Sequence, residues 1–233
     1  MSPAQVVILA AGLGTRLGRP LPKPLTVLGD GRTIMQQQLD NVEATFGDSA
    51  RIMTVVGFKM DLVMERFPDV LYAYNQDYDR TNTSKSLLKA LRLSYEGGVM
   101  WFNGDVVFDP GILDRVKPLM SEDQSFVCVN TAAVGEEEVK YTTDGDGFIR
   151  ELSKTVVGAA GEAVGINFVS SRDKDLLIQH LEKCDDTDYF ERGIETAIAE
   201  HALRVRPIDI SDLFAVEVDF EADLVRANAR RQP

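Results

Sequence analysis

Residues 9–23, with the sequence Leu-Ala-Ala-Gly-Leu-Gly-Thr-Arg-Leu-Gly-Arg-Pro-Leu-Pro-Lys, follow directly on the apolar run Val6-Val7-Ile8. This order predicts a buried strand that ends in a glycine-rich loop. Small residues in such a loop let backbone N–H groups approach an anion closely. Arg16 adds a guanidinium fork that suits phosphate oxygens, and Lys23 adds a point charge. The stretch therefore predicts a cradle for a polyphosphate.

The glycine spacing excludes two better-known phosphate loops. The dinucleotide fingerprint requires G-x-G-x-x-G, whereas Gly12, Gly14 and Gly18 are spaced one residue too widely. The acid expected about twenty residues later is not distinct either, since Asp40 lies inside a helical pattern. The P-loop requires G-x-x-x-x-G-K-[ST], and no Gly-Lys-Ser or Gly-Lys-Thr occurs in the chain. A glycine loop alone would also suit an ordinary strand-to-helix turn, but Gly-Leu-Gly-Thr-Arg-Leu followed by Pro22-Lys23 is more specific.

The segment from Leu9 to Lys23 resembles the signature of the nucleotidyltransferases that make sugar nucleotides and CDP-alcohols. In that family the loop wraps the triphosphate of the incoming nucleotide, and its lysine contacts phosphates at the reacting centre. The resemblance extends more weakly over most of the 233 residues. It implies that Lys23 and Arg16 are catalytic. The nucleotide-binding residues that it implies in this segment are Leu9, Ala10, Ala11, Gly12, Gly14, Thr15, Arg16 and Lys23.

Length and composition predict an ordinary globular chain. A hydrophobic content of 44% is ample for the core of one α/β domain of 233 residues. The longest apolar runs are shorter than ten residues, so no segment is expected to span a membrane. The N-terminus enters strand-like sequence without a signal-peptide pattern. Cys128 and Cys184 lack metal-type spacing and are expected to be reduced thiols, so we expect a cytoplasmic location.

The net charge of −12 argues against nucleic acid as a partner, because such a surface repels a phosphate backbone. In the N-terminal segment, by contrast, the net charge is positive. Residues 1–32 carry four basic side chains and a single acid, Asp30. Positive charge is therefore concentrated at the predicted phosphate loop, although basic residues in a loop are often simply solvated.

Alternating strand and helix patterns predict the α/β class, with a Rossmann-like, mostly parallel mixed sheet and helices on both faces. Strands are predicted at 5–10, 51–57, 69–75, 98–103, 124–132, 137–143, 148–152, 164–169 and 203–208. Helices are predicted at 33–46, where Thr33 and Gln36 form a capping-box pattern, and at 59–67, 84–96, 172–184, 188–201 and from about 220. No linker appears, so we expect one domain over 1–233 with a β-rich insertion at about 133–165. The resemblance implies the same arrangement (the nucleotide-diphospho-sugar transferase type), with the insertion forming a lid over the second substrate.

A second motif, Trp101-Phe102-Asn103-Gly104-Asp105, ends an apolar strand. A carboxylate just past the carboxyl end of a strand lies at the ligand-binding edge of such a sheet. Gly104 leaves room for the nucleotide and is a nucleotide-binding candidate. The resemblance implies that Asp105 is a ligand of Mg²⁺, the expected cofactor. The alternative is a plain Gly-Asp turn.

The second metal ligand is expected within residues 214–220, where the candidates are Glu217 and Asp219. Strand alternation places both side chains on one face. Similarity to the late Glu-x-Asp of choline-phosphate cytidylyltransferases favours Asp219, while the choice between the two acids stays open. Asp219 is also well placed to cap the last helix.

A third stretch, residues 78–87, lacks the Gly-Thr-Ala motif with which sugar nucleotidyltransferases usually read a base and a sugar. Instead, Asn82 with Ser86-Leu87 resembles the Asn-x-x-x-Ser-Leu pattern of bacterial CTP-dependent enzymes acting on small alcohol phosphates or phosphonates. Donor and acceptor groups at a helix start can read a pyrimidine edge or ribose hydroxyls. The nucleotide-binding candidates here are Asn82, Thr83 and Ser86. In the alternative, Asn82 and Thr83 merely cap the helix.

Acceptor-binding candidates come from the insertion and from the segment after it. Lys140 or Lys154 would meet the acceptor phosphate, although lysines on hairpins are usually solvated. Glu162, in a Gly-Glu-x-x-Gly-Ile segment that resembles the family's, would bind an acceptor hydroxyl or amine. Tyr189 and Glu191 suit a cationic head group, but acids at a helix start also stabilise the helix itself.

Together these features predict a Mg²⁺-dependent cytidylyltransferase that joins CTP to a small phosphorylated alcohol or phosphonate and releases pyrophosphate. The alternatives are a sugar-1-phosphate nucleotidyltransferase using UTP, dTTP or GTP, and a nucleotide-binding module without catalysis. The molybdopterin guanylyltransferase branch fits less well, because its loop lacks the Thr-Arg-Leu found here. The partners are then CTP and the acceptor, with no nucleic acid and no membrane. The identity of the acceptor, the strictness of the CTP preference and the oligomeric state, a homodimer included, stay open.

His180 and His201 lie within helical patterns and are not expected to be catalysts.

Overall fold

The computed structural model describes residues 3–132, 134–135 and 137–229. Parts of the predicted domain and lid, residues 1–2, 133, 136 and 230–233, lie outside the described residues. The strands are β1 (Gln5–Ala10), β2 (Arg51–Val56), β3 (Leu71–Tyr74), β4 (Val99–Asn103), β5 (Val106–Phe108), β6 (Phe126–Asn130), β7 (Lys140–Thr143), β8 (Ile149–Ser153), β9 (Gly161–Val169), β10 (Arg206–Asp209) and β11 (Ala215–Glu217). The helices are α1 (Ile34–Phe46), α2 (Met60–Arg66), α3 (Thr83–Leu93), α4 (Gly111–Ser121), α5 (Lys174–Lys183), α6 (Phe190–His201) and α7 (Glu221–Ala229).

The central sheet has the order β10-β6-β9-β4-β1-β2-β3. The pairs along it are parallel except those of β9, which runs antiparallel to both β4 and β6. The β7–β8 hairpin extends the sheet by pairing with β9. This mixed, mostly parallel sheet with helices confirms the predicted fold class.

Strand β1 shows why the sheet is covered on both faces. Its six residues are all buried. Val7 and Leu9 join one hydrophobic core, whereas Val6 and Ile8 join another. Because successive side chains of a strand point to opposite faces, the two cores lie on opposite sides of the sheet. A continuous apolar run rather than an alternating one is typical of a central parallel strand.

Strand β5 and helix α4 are among the elements that the sequence analysis did not predict. Strand β5 spans three residues, too few for an alternation pattern, and it pairs antiparallel with β11. Helix α4 begins at Gly111 and contains Pro118. Both residue types disfavour helix interiors, so local pattern hides this helix. Within the described residues, no helix is long and apolar enough to cross a membrane.

The carboxyl edge of the parallel strands gathers three separate segments of the chain. The Gly104 amide donates to the Leu9 carbonyl at 2.9 Å, which ties the turn after β4 to the end of β1. The Val218 amide donates to the Asp105 carbonyl at 2.9 Å, which ties the segment after β11 to the same turn. The fold thus brings the glycine-rich loop and both acidic motifs to one edge.

Candidate active site

A cavity of about 500 Å³ opens at this edge. The two acidic motifs, the glycine-rich loop, the start of α3 and the hairpin side of the sheet all contribute to its wall. Predicted site residues that line it are Leu9, Ala10, Gly12, Gly14, Thr15, Arg16, Lys23, Asn82, Thr83, Gly104, Asp105, Lys154, Glu162, Tyr189, Glu191 and Asp219.

Lys23 is the centre of the charged cluster. Its Nζ lies 3.0 Å from Asp105 Oδ2 and also donates to Asp219 Oδ1. Arg16 Nη1 pairs with the other Asp219 oxygen at 2.9 Å. Burial alone would lower the pKa of Lys23, but the charge of Asp105 and the hydrogen bond to Asp219 outweigh burial, so the pKa is raised. The ammonium is therefore fixed in its charged form between the two acids.

Two glycines give this cluster its close packing. Gly14 has a φ of +63°, and a Cβ added to it would lie 2.9 Å from Cγ of Lys23. A Cβ on Gly104 would lie 2.5 Å from the Leu9 carbonyl oxygen. A side chain at either position would displace the lysine or the turn that carries Asp105.

The donor set of Asp105 and Asp219 fits a magnesium ion. Mg²⁺ prefers oxygen ligands and is usually held by one or two carboxylates together with substrate phosphates and water. The two carboxylates come from different elements yet contact the same ammonium, so both reach one point of the cavity. They are also only partly exposed, with 21% and 18% of their side-chain surfaces accessible.

Glu217, the other candidate for the second ligand, has a different environment. Its Oε1 accepts a hydrogen bond from Asn103 Nδ2 at 3.1 Å, whereas the basic side chains contact Asp219. Burial, followed by the charges of Asp105 and Glu138, raises the pKa of Glu217 well above its usual value. Geometry thus favours Asp219 as the ligand.

The alternative role of Asp219, capping α7, belongs to another residue. Asp223 Oδ2 accepts from the amides of Phe220 at 2.8 Å and of Asp219 at 3.1 Å. These bonds satisfy backbone donors at the start of the helix. The Asp219 carboxylate is left to face Lys23 and Arg16.

Asn82 does cap α3, as the alternative interpretation held. Its Oδ1 accepts from the Thr83 amide at 2.8 Å, and its Nδ2 donates to the Thr187 carbonyl at 3.2 Å. The Thr83 hydroxyl accepts from the Phe190 amide at 3.1 Å. Both residues also line the cavity, so the capping role and a contact to a nucleotide are compatible.

Three predicted residues do not line the cavity. Ala11 is buried, and its carbonyl accepts from the Phe58 amide. Ser86 is buried on the inner side of α3, where its hydroxyl accepts from Asn75 Nδ2 at 3.1 Å. Lys140 Nζ donates to the Lys154 carbonyl at 3.3 Å. The direction of the Ser86 side chain depends on the phase of α3, and that of the Lys140 side chain depends on the register of the hairpin. Neither can be read from residue spacing alone.

The wall of the cavity carries further carboxyl groups. Glu191 is 7% exposed, and burial raises its pKa to about 7. Among the described residues, its Oε2 has no hydrogen-bond partner. Burial and the charge of Glu162 raise the pKa of Glu138 as well. Lys154 supplies a positive charge here, with its Nζ 4.8 Å from the centre of the Tyr189 ring.

Sequence reasoning did not select several lining residues. Asn103 lies inside the quoted Asn-Gly-Asp motif, and Glu138 lies two residues before Lys140. Both are therefore close in sequence to residues that the sequence analysis selected. Asn130, at the end of β6, carries no motif. Its contribution follows from sheet topology, which the sequence does not reveal.

We expect the free energy of unfolding to fall as the pH rises from about 5 to about 7.5, because Glu191 titrates with a raised pKa. The folded state holds the proton up to a pKa of about 7, whereas the unfolded state releases it near 4.5. The free energy of unfolding is therefore highest below about pH 4.5, the pKa of this carboxyl group in the unfolded state, and declines by up to about 3 kcal/mol through this window. Urea unfolding of the wild type and of Glu191→Gln measures the effect.

The variant should show a flatter profile, since a glutamine does not titrate. Some decline should remain in the variant, because Glu138 and Glu217 shift in the same direction. Superimposable profiles for the two proteins would contradict the assignment of this effect to Glu191.

The family model described as "MobA-like NTP transferase domain" matches residues 6–185. A CMP-5'-(3-aminopropyl)phosphonate synthase from Streptomyces rubellomurinus is 28% identical over an alignment of 252 positions. The alignment covers 99% of this chain and 39% of that protein. The chain thus spans about two fifths of the length of this relative. A 2-aminoethylphosphonate cytidylyltransferase from Lancefieldella rimae is 25% identical, with coverage of 94% and 89%.

A solved structure shows the same fold over the whole length of the chain. The inositol-1-phosphate CTP transferase from T. maritima superimposes with a TM-score of 0.77 at 15% identity and covers 100% of this chain and 99% of its own. Because the family model spans more than three quarters of the sequence, the chain belongs to the MobA-like NTP transferase family.

Proposed function

We propose that the protein is a Mg²⁺-dependent cytidylyltransferase, which joins CTP to a small phosphonate or phosphate acceptor and releases pyrophosphate. The observation that carries the proposal is the position of Lys23, held between Asp105 and Asp219 beside the glycine-rich loop. The names of the two curated relatives support the cytidylyl specificity.

The chemistry would be an in-line displacement at the α-phosphorus of CTP. An oxygen of the acceptor phosphonate or phosphate attacks, the bond to the β-phosphate oxygen breaks, and pyrophosphate leaves. The acceptor is already an anion, so the site needs no general base. The obstacle is the approach of an anion to a polyanion: two unit charges about 4 Å apart interact by about 4 kcal/mol at an effective dielectric near 20.

The basic side chains would offset this repulsion. Arg16 and Lys23 can pair with phosphate oxygens and orient them, because both extend from the loop into the cavity. Magnesium held by Asp105 and Asp219 would supply further charge compensation for the triphosphate. Lys23 pairs with both carboxylates in this structure, and it would pair with phosphate instead where these carboxylates hold a metal.

The carboxyl-rich side of the cavity favours an acceptor with an ammonium group. Glu138, Glu191 and Glu217 each have a pKa raised by burial, and a cation placed among them would stabilise their charged forms. Tyr189 adds an aromatic face. Lys154 lines the same cavity and would pair with the anionic end of the same molecule. We therefore infer an aminoalkylphosphonate acceptor rather than inositol phosphate.

A matrix of nucleotides and acceptors tests the proposal by measuring released pyrophosphate. We expect CTP with 2-aminoethylphosphonate or 3-aminopropylphosphonate to turn over faster than any other pair. The rate should be at least about tenfold that with CTP and ethylphosphonate, because tenfold corresponds to about 1.4 kcal/mol and close charge pairs couple by about 1.5–7 kcal/mol. Ethylphosphonate, which lacks only the amine, is the matched control.

Two outcomes would contradict the proposal. A preference for UTP, dTTP or GTP with a sugar 1-phosphate would instead identify a sugar nucleotidyltransferase. Nucleotide binding without pyrophosphate release with any acceptor would indicate a binding module. Equal rates for ethylphosphonate and 2-aminoethylphosphonate would remove the inferred ammonium subsite but leave the cytidylyltransferase assignment intact.

A further inference from the structure

The two histidines of the chain meet at the interface between α5 and α6. His180 Nε2 lies 3.0 Å from His201 Nδ1. His180 is buried, with 1% of its surface exposed, whereas His201 at the end of α6 is exposed. The proposed chemistry at the cavity uses neither residue. Glu191 and His201 are ten positions apart on α6, so the pair is about 15 Å along the helix axis from the cavity wall.

A chain of hydrogen bonds connects the His180 ring to the backbone of α6. The Thr196 hydroxyl donates to the Gly193 carbonyl at 3.2 Å. His180 Nδ1 lies 2.9 Å from the same hydroxyl and can donate its proton to that oxygen. In that tautomer the lone pair of the ring lies on Nε2, directed at His201. A metal-binding histidine typically donates its other ring N–H to a neighbouring group, which fixes the orientation of the ring.

Glu200 completes a compact donor set. The ligand atoms of His180, His201 and Glu200 all lie within 4.8 Å of one another. In a tetrahedral zinc site the metal–nitrogen distances of about 2.0–2.1 Å place two nitrogens about 3.3 Å apart, close to the spacing of this pair. Lys183 Nζ lies 3.8 Å from Glu200, so a cation already balances this carboxylate. The position at the carboxyl end of α6 also favours positive charge.

We propose that His180, His201 and Glu200 form a binding site for zinc or a similar transition-metal ion that links α5 to α6. Two imidazoles and one carboxylate suit Zn²⁺ better than Mg²⁺, which prefers oxygen ligands alone. His201 would move its proton from Nδ1 to its exposed Nε2, so both facing nitrogens bind the metal without a change in net protonation. A water molecule would take the fourth position.

Calorimetric titration of the full chain with ZnCl₂ tests the site, with MgCl₂ in excess so that Asp105 and Asp219 do not bind the zinc. We expect one zinc per chain, with affinity at least about tenfold lower in His201→Gln and in Glu200→Gln. Both replaced side chains are exposed, so these variants should fold. Glu195→Gln, on the same helix but outside the cluster, should match the wild type.

Two further readouts locate the ion. The imidazole proton resonances of His180 and His201 should shift on addition of zinc, and the melting temperature of the wild type, but not of His201→Gln, should rise by several degrees. Absence of zinc binding by the wild type, or the same affinity in wild type and His201→Gln, would overturn the proposal. Unshifted histidine resonances would overturn it as well.

Discussion

Replacing Lys23 with methionine is expected to lower kcat by about 10³-fold while the protein remains folded. Removal of a single preorganised group that stabilises developing charge typically costs about 10²–10³-fold in rate. In the proposed reaction Lys23 would pair with phosphate oxygens at the centre of the charged cluster, so the loss should reach the upper end of that range. Steady-state pyrophosphate release with saturating CTP and acceptor measures the effect.

The same variant should bind the divalent cation more tightly. In the wild type the Lys23 ammonium competes for Asp105 and Asp219, and methionine removes this competitor. Thermal stabilisation of the nucleotide-free protein by Mg²⁺ should therefore occur at lower concentrations in the variant. Lys117→Met is the matched control and should leave both measurements unchanged, since Lys117 lies on α4, where its Nζ donates to the Thr45 carbonyl and lies 5.7 Å from the centre of the Phe46 ring. A variant that retains more than a tenth of the wild-type kcat would contradict the role of Lys23.

Asp105→Asn is expected to lower kcat/KM by about 10²–10³-fold and to raise the Mg²⁺ concentration needed for half-maximal rate. Asparagine keeps the shape of the side chain but removes its charge, and an amide oxygen is a weaker ligand for a hard cation. Stability should change by less than about 1 kcal/mol, because Lys23 keeps its ion pair with Asp219 and the pair is partly exposed.

A magnesium titration of initial rates distinguishes this loss from general damage. Saturating magnesium should restore part of the activity of Asp105→Asn. Asp48→Asn, an exposed residue between α1 and β2, should behave like the wild type. An unchanged magnesium requirement together with the lower rate would show that Asp105 acts in some other way.

The sequence predicted most of the fold, because the α/β alternation follows from local patterns. Thr33 Oγ1 accepts from the Gln36 amide at 3.1 Å, which is one half of the predicted capping box, and α1 begins directly after it. The Gln36 side chain donates to Asp40 instead. The orientation of β9 and the pairing of β5 with β11 were not predictable. Strand direction is set by pairing over long sequence separations, and a pattern within one strand contains no record of its neighbours.

The site shows the same division between local and long-range information. Gly14, Lys23 and Asp105 stand in motifs whose spacing is visible in the chain, and the structure places them around one cavity. The environment of Glu217 depends instead on Asn103, which lies 114 positions away. No local signal shows that this acid is enclosed, so the geometric argument for Asp219 as the proposed ligand comes from the structure alone.

The link between the glycine-rich loop and the segment around Asp219 has a consequence for synthesis of the protein. Asp219 follows Lys23 by 196 positions, and Arg19 and Gly29 also bond to the late residues Glu221 and Asn228. At about 5–20 residues per second, a ribosome needs about 10–40 seconds to progress from the lysine to the acid. Throughout that interval the nascent chain presents Lys23 without Asp219, one of the two acids that hold its ammonium in the folded protein. The charged cluster therefore forms only after a long delay in chain growth.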